Sequence, residues 1–159
     1  MKIQVEKFKK IDHVEVTLAP LNIFIGANNS GKSSFIQGIQ FATSACQTLR
    51  LLGANWVKGT TKTLSLDSKD FLYTPTSDIS YLYHGKRLSG SRKKEGRKWI
   101  EFTFVDDDND TSVLKISRGK NGGFTTVLGG KNLGDKLSAI DSPYCVYVPG
   151  IAGIPIIEK

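Results

Sequence analysis

The chain has 159 residues, 39% of them hydrophobic, and a formal net charge of +7, which gives one domain with a real core and is too short for two ordinary ones. No apolar stretch approaches a signal-peptide core or a membrane span, so the composition predicts a soluble, cytoplasmic protein with no membrane partner. The positive charge is concentrated between His84 and Lys98, where Lys86, Arg87, Arg92, Lys93, Lys94, Arg97 and Lys98 face only Glu95; this is a local basic patch, read either as a nucleic-acid contact or as a solvated hairpin.

In chain order, Ile3 and Val5, then Val14, Val16 and Leu18, recur at every second residue and predict two half-buried strands joined by the turn "KFKKID". "PLNIFIG" follows. Pro20 is tolerated at a strand start, and the nearly continuous run Leu21, Ile23, Phe24, Ile25 predicts a central strand covered on both faces. Beyond Lys32, the three- and four-residue steps of Phe35, Ile36, Ile39, Ala42, Cys46 and Leu49 predict an amphipathic helix to about Leu52, ended by Gly53. Residues 54–97 read as an irregular basic insertion, with a short helix capped near Ser77 that carries Ile79 and Leu82. Alternation on both sides of "DDND" and again after "KNGG" predicts an antiparallel meander of three strands over about 98–128, and "YCVYVPG" a further buried strand ending at Pro149. Cys46 and Cys145 have no ligand-like spacing and read as buried thiols. Ile151, Ile154, Ile156 and Ile157 crowd the last nine residues, so the polypeptide is expected to be truncated before a surface it would pack against.

Between the predicted strand and helix lies "GANNSGKSS", in which Gly26 is followed after four residues by Gly31, Lys32 and Ser33. That is the phosphate-binding loop pattern in its required strand-loop-helix setting. The chemistry needs backbone N–H groups converging on an anion, and glycine supplies main-chain conformations that other residues resist. The helix directs its N-terminal partial charge at the phosphates, Lys32 adds a full charge, and the Ser33 hydroxyl is placed to complete a Mg²⁺ shell; Asn28, Asn29 and Ser30 line the loop, and Ser34 is the next hydroxyl. A GTPase would need D-x-x-G and N-K-x-D, and neither is present.

"MKIQVEKFKKIDHVEVTLAPLNIFIGANNSGKSSFIQGIQFA" resembles the opening of SMC- and RecF-like ATPases of the ABC class, in which two strands around an "nFk" or "nFr" turn lead into the P-loop strand. The resemblance covers about the first quarter of the chain. It implies an α/β P-loop NTPase of ABC/SMC-head type, of which this chain is the N-terminal lobe with an antiparallel β layer, binding ATP and Mg²⁺ through Gly26 and Asn28–Ser34 with Ser33 on the metal. It also implies that Lys9 reaches the phosphates from the strand turn where many relatives carry arginine; a lysine there lacks the bidentate fork, and a solvated turn lysine is the alternative. It further implies heads that sandwich ATP in a homo-oligomer, a DNA partner in repair or anti-phage defence, and a C-terminal ATPase half or partner subunit. The other reading is a binding module in which ATP serves as a ligand or switch without hydrolysis.

The residues that activate water in such ATPases have no counterpart here. "LSGSR", Leu88 to Arg92, imitates a signature sequence without a helix period, and "FTFVDDD" imitates a Walker B strand but reads as a hairpin tip. Asp106, Asp108 and Asp110 have calcium-loop spacing without the glycine and glutamate such a loop requires. No catalytic residue is therefore assigned within the chain.

Overall fold

The computed structural model describes residues 1–89, 98–119 and 122–141. Its framework is a six-stranded, wholly antiparallel sheet in the order β2-β1-β4-β5-β6-β3, formed by β1 (Lys2–Phe8), β2 (Ile11–Thr17), β3 (Thr61–Leu66), β4 (Trp99–Val105), β5 (Thr111–Gly119) and β6 (Gly122–Gly129). Two helices, α1 (Lys32–Leu51) and α2 (Lys131–Leu137), complete the core. Among the described residues no helix is long and apolar enough to cross a membrane.

Period-two alternation gives the sheet one apolar face. Register aligns Val14, Val5, Phe102, Leu114, Leu128 and Lys62 in one row across all six strands. The row ends on a buried lysine, which is tolerable because its ammonium donates to Asp135 Oδ1 at 3.2 Å and lies 4.7 Å from the centre of the Trp56 ring. Helix α1 docks through an aromatic cluster: Phe8 and Phe102 meet edge-on at 5.4 Å, and Phe41 lies 6.0 Å from Phe8 and 5.6 Å from Phe71. Gly38 permits this approach, since a Cβ there would stand 3.2 Å from both Phe8 and Phe102. The hydroxyls on α1 are buried for a reason as well: Ser44 Oγ accepts from Tyr73 N at 2.8 Å and Thr48 Oγ1 from Leu72 N at 3.2 Å, fastening the segment after β3 to the helix.

The β1–β2 pair, the helix ending at Leu51 and the three-strand meander agree with the sequence expectation. Asp106–Asp110 forms the hairpin turn between β4 and β5, closed by Asp106 N donating to Asp110 O at 3.0 Å, so "FTFVDDD" is not a Walker B strand. The short helix is a 3₁₀ turn at Ile79–Leu82 capped by Asp78, whose carboxylate accepts from Ser80 N at 2.9 Å. β3 lies within residues 54–97, so the described part of that segment is less irregular than expected, and α2 is a further addition after β6. The segment "YCVYVPG", Cys145 and the isoleucine-rich end lie outside the described residues.

One expectation fails. Leu21–Ile25 is not a covered strand: it has no β partner among the described residues, and Leu21, Ile23 and Ile25 are 78%, 75% and 89% exposed. A strand buried on both faces requires neighbouring strands on at least one edge, and the described sheet ends at β2 on one side and β3 on the other without including this segment.

Cys46 sits fully inside the core, where burial pushes its thiol up to about 12. The folded protein therefore keeps the thiol protonated in a pH range where the unfolded chain releases it, and stability falls as pH rises from the unfolded value of 9.0 towards the folded one. In a Cys145→Ser background we expect no reaction of Cys46 with a thiol reagent at pH 8 until denaturant is added. Stoichiometric labelling of the native protein would place this thiol at the surface instead.

Candidate nucleotide site

The site begins with a backbone feature. Gly31 takes φ 94° immediately before α1, and the helix starts with neither a side-chain cap nor an acidic residue in its first turn. Its leading N–H groups thus keep their positive end open to an external acceptor, where most helices would present Ser, Thr or Asp. Asn29 also adopts a left-handed conformation, φ 68°, which folds Asn28–Ser30 over that end.

Lys32 defines the charge. Its ammonium donates to Gly26 O and Ala27 O, both at 2.7 Å, and contacts Ser30 Oγ at 3.2 Å. These are loop carbonyls and a hydroxyl with no formal charge, so the cation is held in position without being neutralised. Asn28, Asn29, Ser30, Gly31, Lys32, Ser33 and Ser34 line one cavity of about 310 Å³ together with Lys10. Ser33 is exposed at its mouth. The donor set of backbone amides, one ammonium and two adjacent hydroxyls suits a phosphate chain, with Ser33 as the hydroxyl available to a hard divalent cation. No group of three or more His, Cys, Asp or Glu able to hold a metal ion occurs among the described residues.

Of the sequence-assigned residues, Asn28–Ser34 are brought together and Gly26 closes the loop through its carbonyl. Lys9 does not line the loop cavity, although it shares the larger neighbouring cavity with Ser34. It sits at φ 50° in the β1–β2 turn, and its ammonium donates to Gln37 Oε1 on α1 at 2.7 Å. Burial there pushes its pKa below the usual lysine value, and its half-buried position also rules out the solvated turn lysine. In this structure the Lys9 ammonium is engaged on α1, and it is the adjacent Lys10 that lines the loop cavity.

The same turn is clasped by the segment that runs from the short helix into the basic patch. Lys9 N donates to Leu82 O at 2.7 Å and His84 N to Lys7 O at 3.0 Å. His84 Nδ1 lies 2.9 Å from Lys9 O, a carbonyl that can only accept, so this nitrogen carries the proton. His84 thus has a structural partner, and His13 of β2 lies 3.4 Å from Glu6 of β1. Between clasp and loop is a cavity of about 650 Å³ lined by Lys9, Lys10, Ser34, Tyr81, Tyr83, His84, Gly85, Lys86 and Arg87. Arg87 is tied to Asp78 at 2.8 Å and Ser80 at 2.7 Å, and its guanidinium stands 5.0 Å from the Tyr81 ring centre. Of the basic patch, Lys86, Arg87 and Lys98 are described, whereas Arg92, Lys93, Lys94 and Arg97 lie outside the described residues.

A strand-turn-strand edge, a glycine loop that presents uncapped helix amides, and a lysine folded over that loop define a P-loop nucleotide-binding protein. A family model described as the AAA ATPase domain matches residues 1–122, and the chain belongs to that family, P-loop ATPases that bind ATP with Mg²⁺. Searches of curated proteins and of solved structures gave no match.

Proposed function

We propose that the chain binds MgATP as the N-terminal lobe of an SMC/RecF-like ATPase head of the ABC class, and that hydrolysis requires Walker B and signature residues supplied by a C-terminal half. The observation that carries the nucleotide reading is the gathering of Asn28–Ser34 at the uncapped start of α1 around an ammonium without a carboxylate partner. The exposed run Leu21–Ile25, which leads directly into that loop, supports the second lobe: among the described residues it has no strand partner, and it presents apolar side chains at the surface. When bound, Mg²⁺ neutralises the phosphate oxygens and the nucleotide supplies the transferable phosphoryl group. This chain holds the phosphates at Asn28–Lys32 and orients the cation side with Ser33, while the water-activating carboxylate belongs to the other half.

DNA is the proposed substrate of the complete protein, in repair or defence, with two heads closing on shared ATP. The basic segment His84–Lys98 supports that partner through charge alone. If it neutralises five or six backbone phosphates, log affinity for duplex DNA falls against log salt with a slope of about −5, and a flat response would remove the electrostatic basis. Residues 1–159 should bind MgATP with negligible steady-state turnover. Ordinary turnover abolished by Lys32→Ala would overturn the two-half mechanism, and nucleotide binding without turnover even with the C-terminal half present would favour a binding module.

A further inference from the structure

The loop cavity contains a cation that the P-loop pattern does not include. We propose that Lys10 is a phosphate-binding residue of this site, supplying from the β1–β2 turn a second positive charge to the triphosphate held at Asn28–Ser34. The proposal rests on the nucleotide-binding reading above.

Three spaces meet at Lys10: the loop cavity, the larger cavity below the clasp, and a groove of about 440 Å³ beside β2 that runs to Gly26, Gly31 and Lys32. Lys10 is the one residue common to the linings of all three. It is exposed, and among the described residues its side chain has no hydrogen-bond or ion-pair partner. Three neighbouring cations are already engaged, Lys7 with Asp12, Lys9 with Gln37 and Arg87 with Asp78, and Lys86 lines only the larger cavity and not the loop cavity. The same pairing removes Asp12, the nearest carboxylate in the groove, as a competitor for Lys10. An uncommitted ammonium on the rim of a polyphosphate cradle is available to the one kind of ligand the cradle fits. A lysine needs no fixed fork geometry to serve a flexible chain of phosphate oxygens.

The clasp gives Lys10 its position. Lys9 N and Lys9 O are both bound by the 82–84 segment, so the turn that projects Lys10 is fixed on either side of the preceding residue. The ligand class recognised is therefore a polyphosphate, through its charge and not through its base.

The test is calorimetric titration of wild type, Lys10→Ala, Lys10→Arg and Lys9→Ala with MgATP and, as a base-free probe, magnesium tripolyphosphate. Lys10→Ala should weaken both ligands by about tenfold, the scale of one charge-assisted contact. Lys10→Arg should stay within about threefold of wild type, because charge is preserved. Lys9→Ala should affect both less than Lys10→Ala does. Unchanged affinities in Lys10→Ala, or a loss confined to MgATP, would overturn the phosphate role while leaving the cradle intact. A wild-type protein that binds neither ligand would instead overturn the nucleotide reading itself. Melting curves of the variants separate binding from folding, and exposure of Lys10 predicts unchanged midpoints.

Discussion

Lys32→Ala is expected to raise the dissociation constant for MgATP by about 100-fold, the loss of close to 3 kcal/mol that a charged hydrogen-bonding partner of a phosphate contributes. The ammonium lies over the loop with Gly26 O and Ala27 O at 2.7 Å, so a phosphate entering the cavity meets a positive charge already in place. Thermal unfolding reads the effect directly. At a MgATP concentration 100 times its dissociation constant, wild type should gain about 2.7 kcal/mol, or roughly 8 °C in a domain of this size, and the variant at the same concentration only about 0.4 kcal/mol. Ligand-free midpoints should nearly coincide, since Lys32 contacts only surface loop groups and leaves the core untouched. An equal MgATP shift in both proteins would mean that the nucleotide, if bound, sits elsewhere.

Phe102→Ala should cost about 4 kcal/mol of stability, the range for removing a fully buried aromatic ring. Phe102 is completely inaccessible and joins three elements: it meets Phe8 of β1 at 5.4 Å and Phe41 of α1 at 6.2 Å, and it occupies the space left by Gly38. The cavity would open beneath the helix that carries the phosphate loop. The midpoint should fall by about 12 °C, and nucleotide affinity should weaken as well, because α1 loses its anchor on the sheet. Phe102→Leu, which keeps most of the volume, should lose under about 1.5 kcal/mol. A loss below about 1 kcal/mol for the alanine variant would show that the ring is not packed between sheet and helix.

The parts of this molecule readable from sequence are those whose determinants are local. Gly26 to Ser34 carries its chemistry in nine consecutive residues, and the alternation of Ile100, Phe102 and Phe104 against Leu114 and Ile116 exposes the meander by itself. β3 was hidden because its inward position beside Leu64 and Leu66 is Lys62, whose burial is explained only by Trp56 and Asp135, residues on other elements. α2 is two helical turns with one apolar pair, Leu133 and Leu137, too short to show a period. Leu21–Ile25 misled for the opposite reason, since composition reports the wish for a covered strand but not whether neighbours are present. The resemblance assigns the turn cation to Lys9, where many relatives carry arginine, and a string of letters does not show which of two adjacent lysines lines the loop cavity. Only the left-handed turn at Lys9 separates their directions.

The bonds from Leu82 and His84 to Lys7 and Lys9 splint the hairpin tip to the stretch that continues into Lys86 and Arg87. The basic stretch and the turn that carries Lys10 are thereby joined by main-chain bonds a few residues apart, at the end of β1.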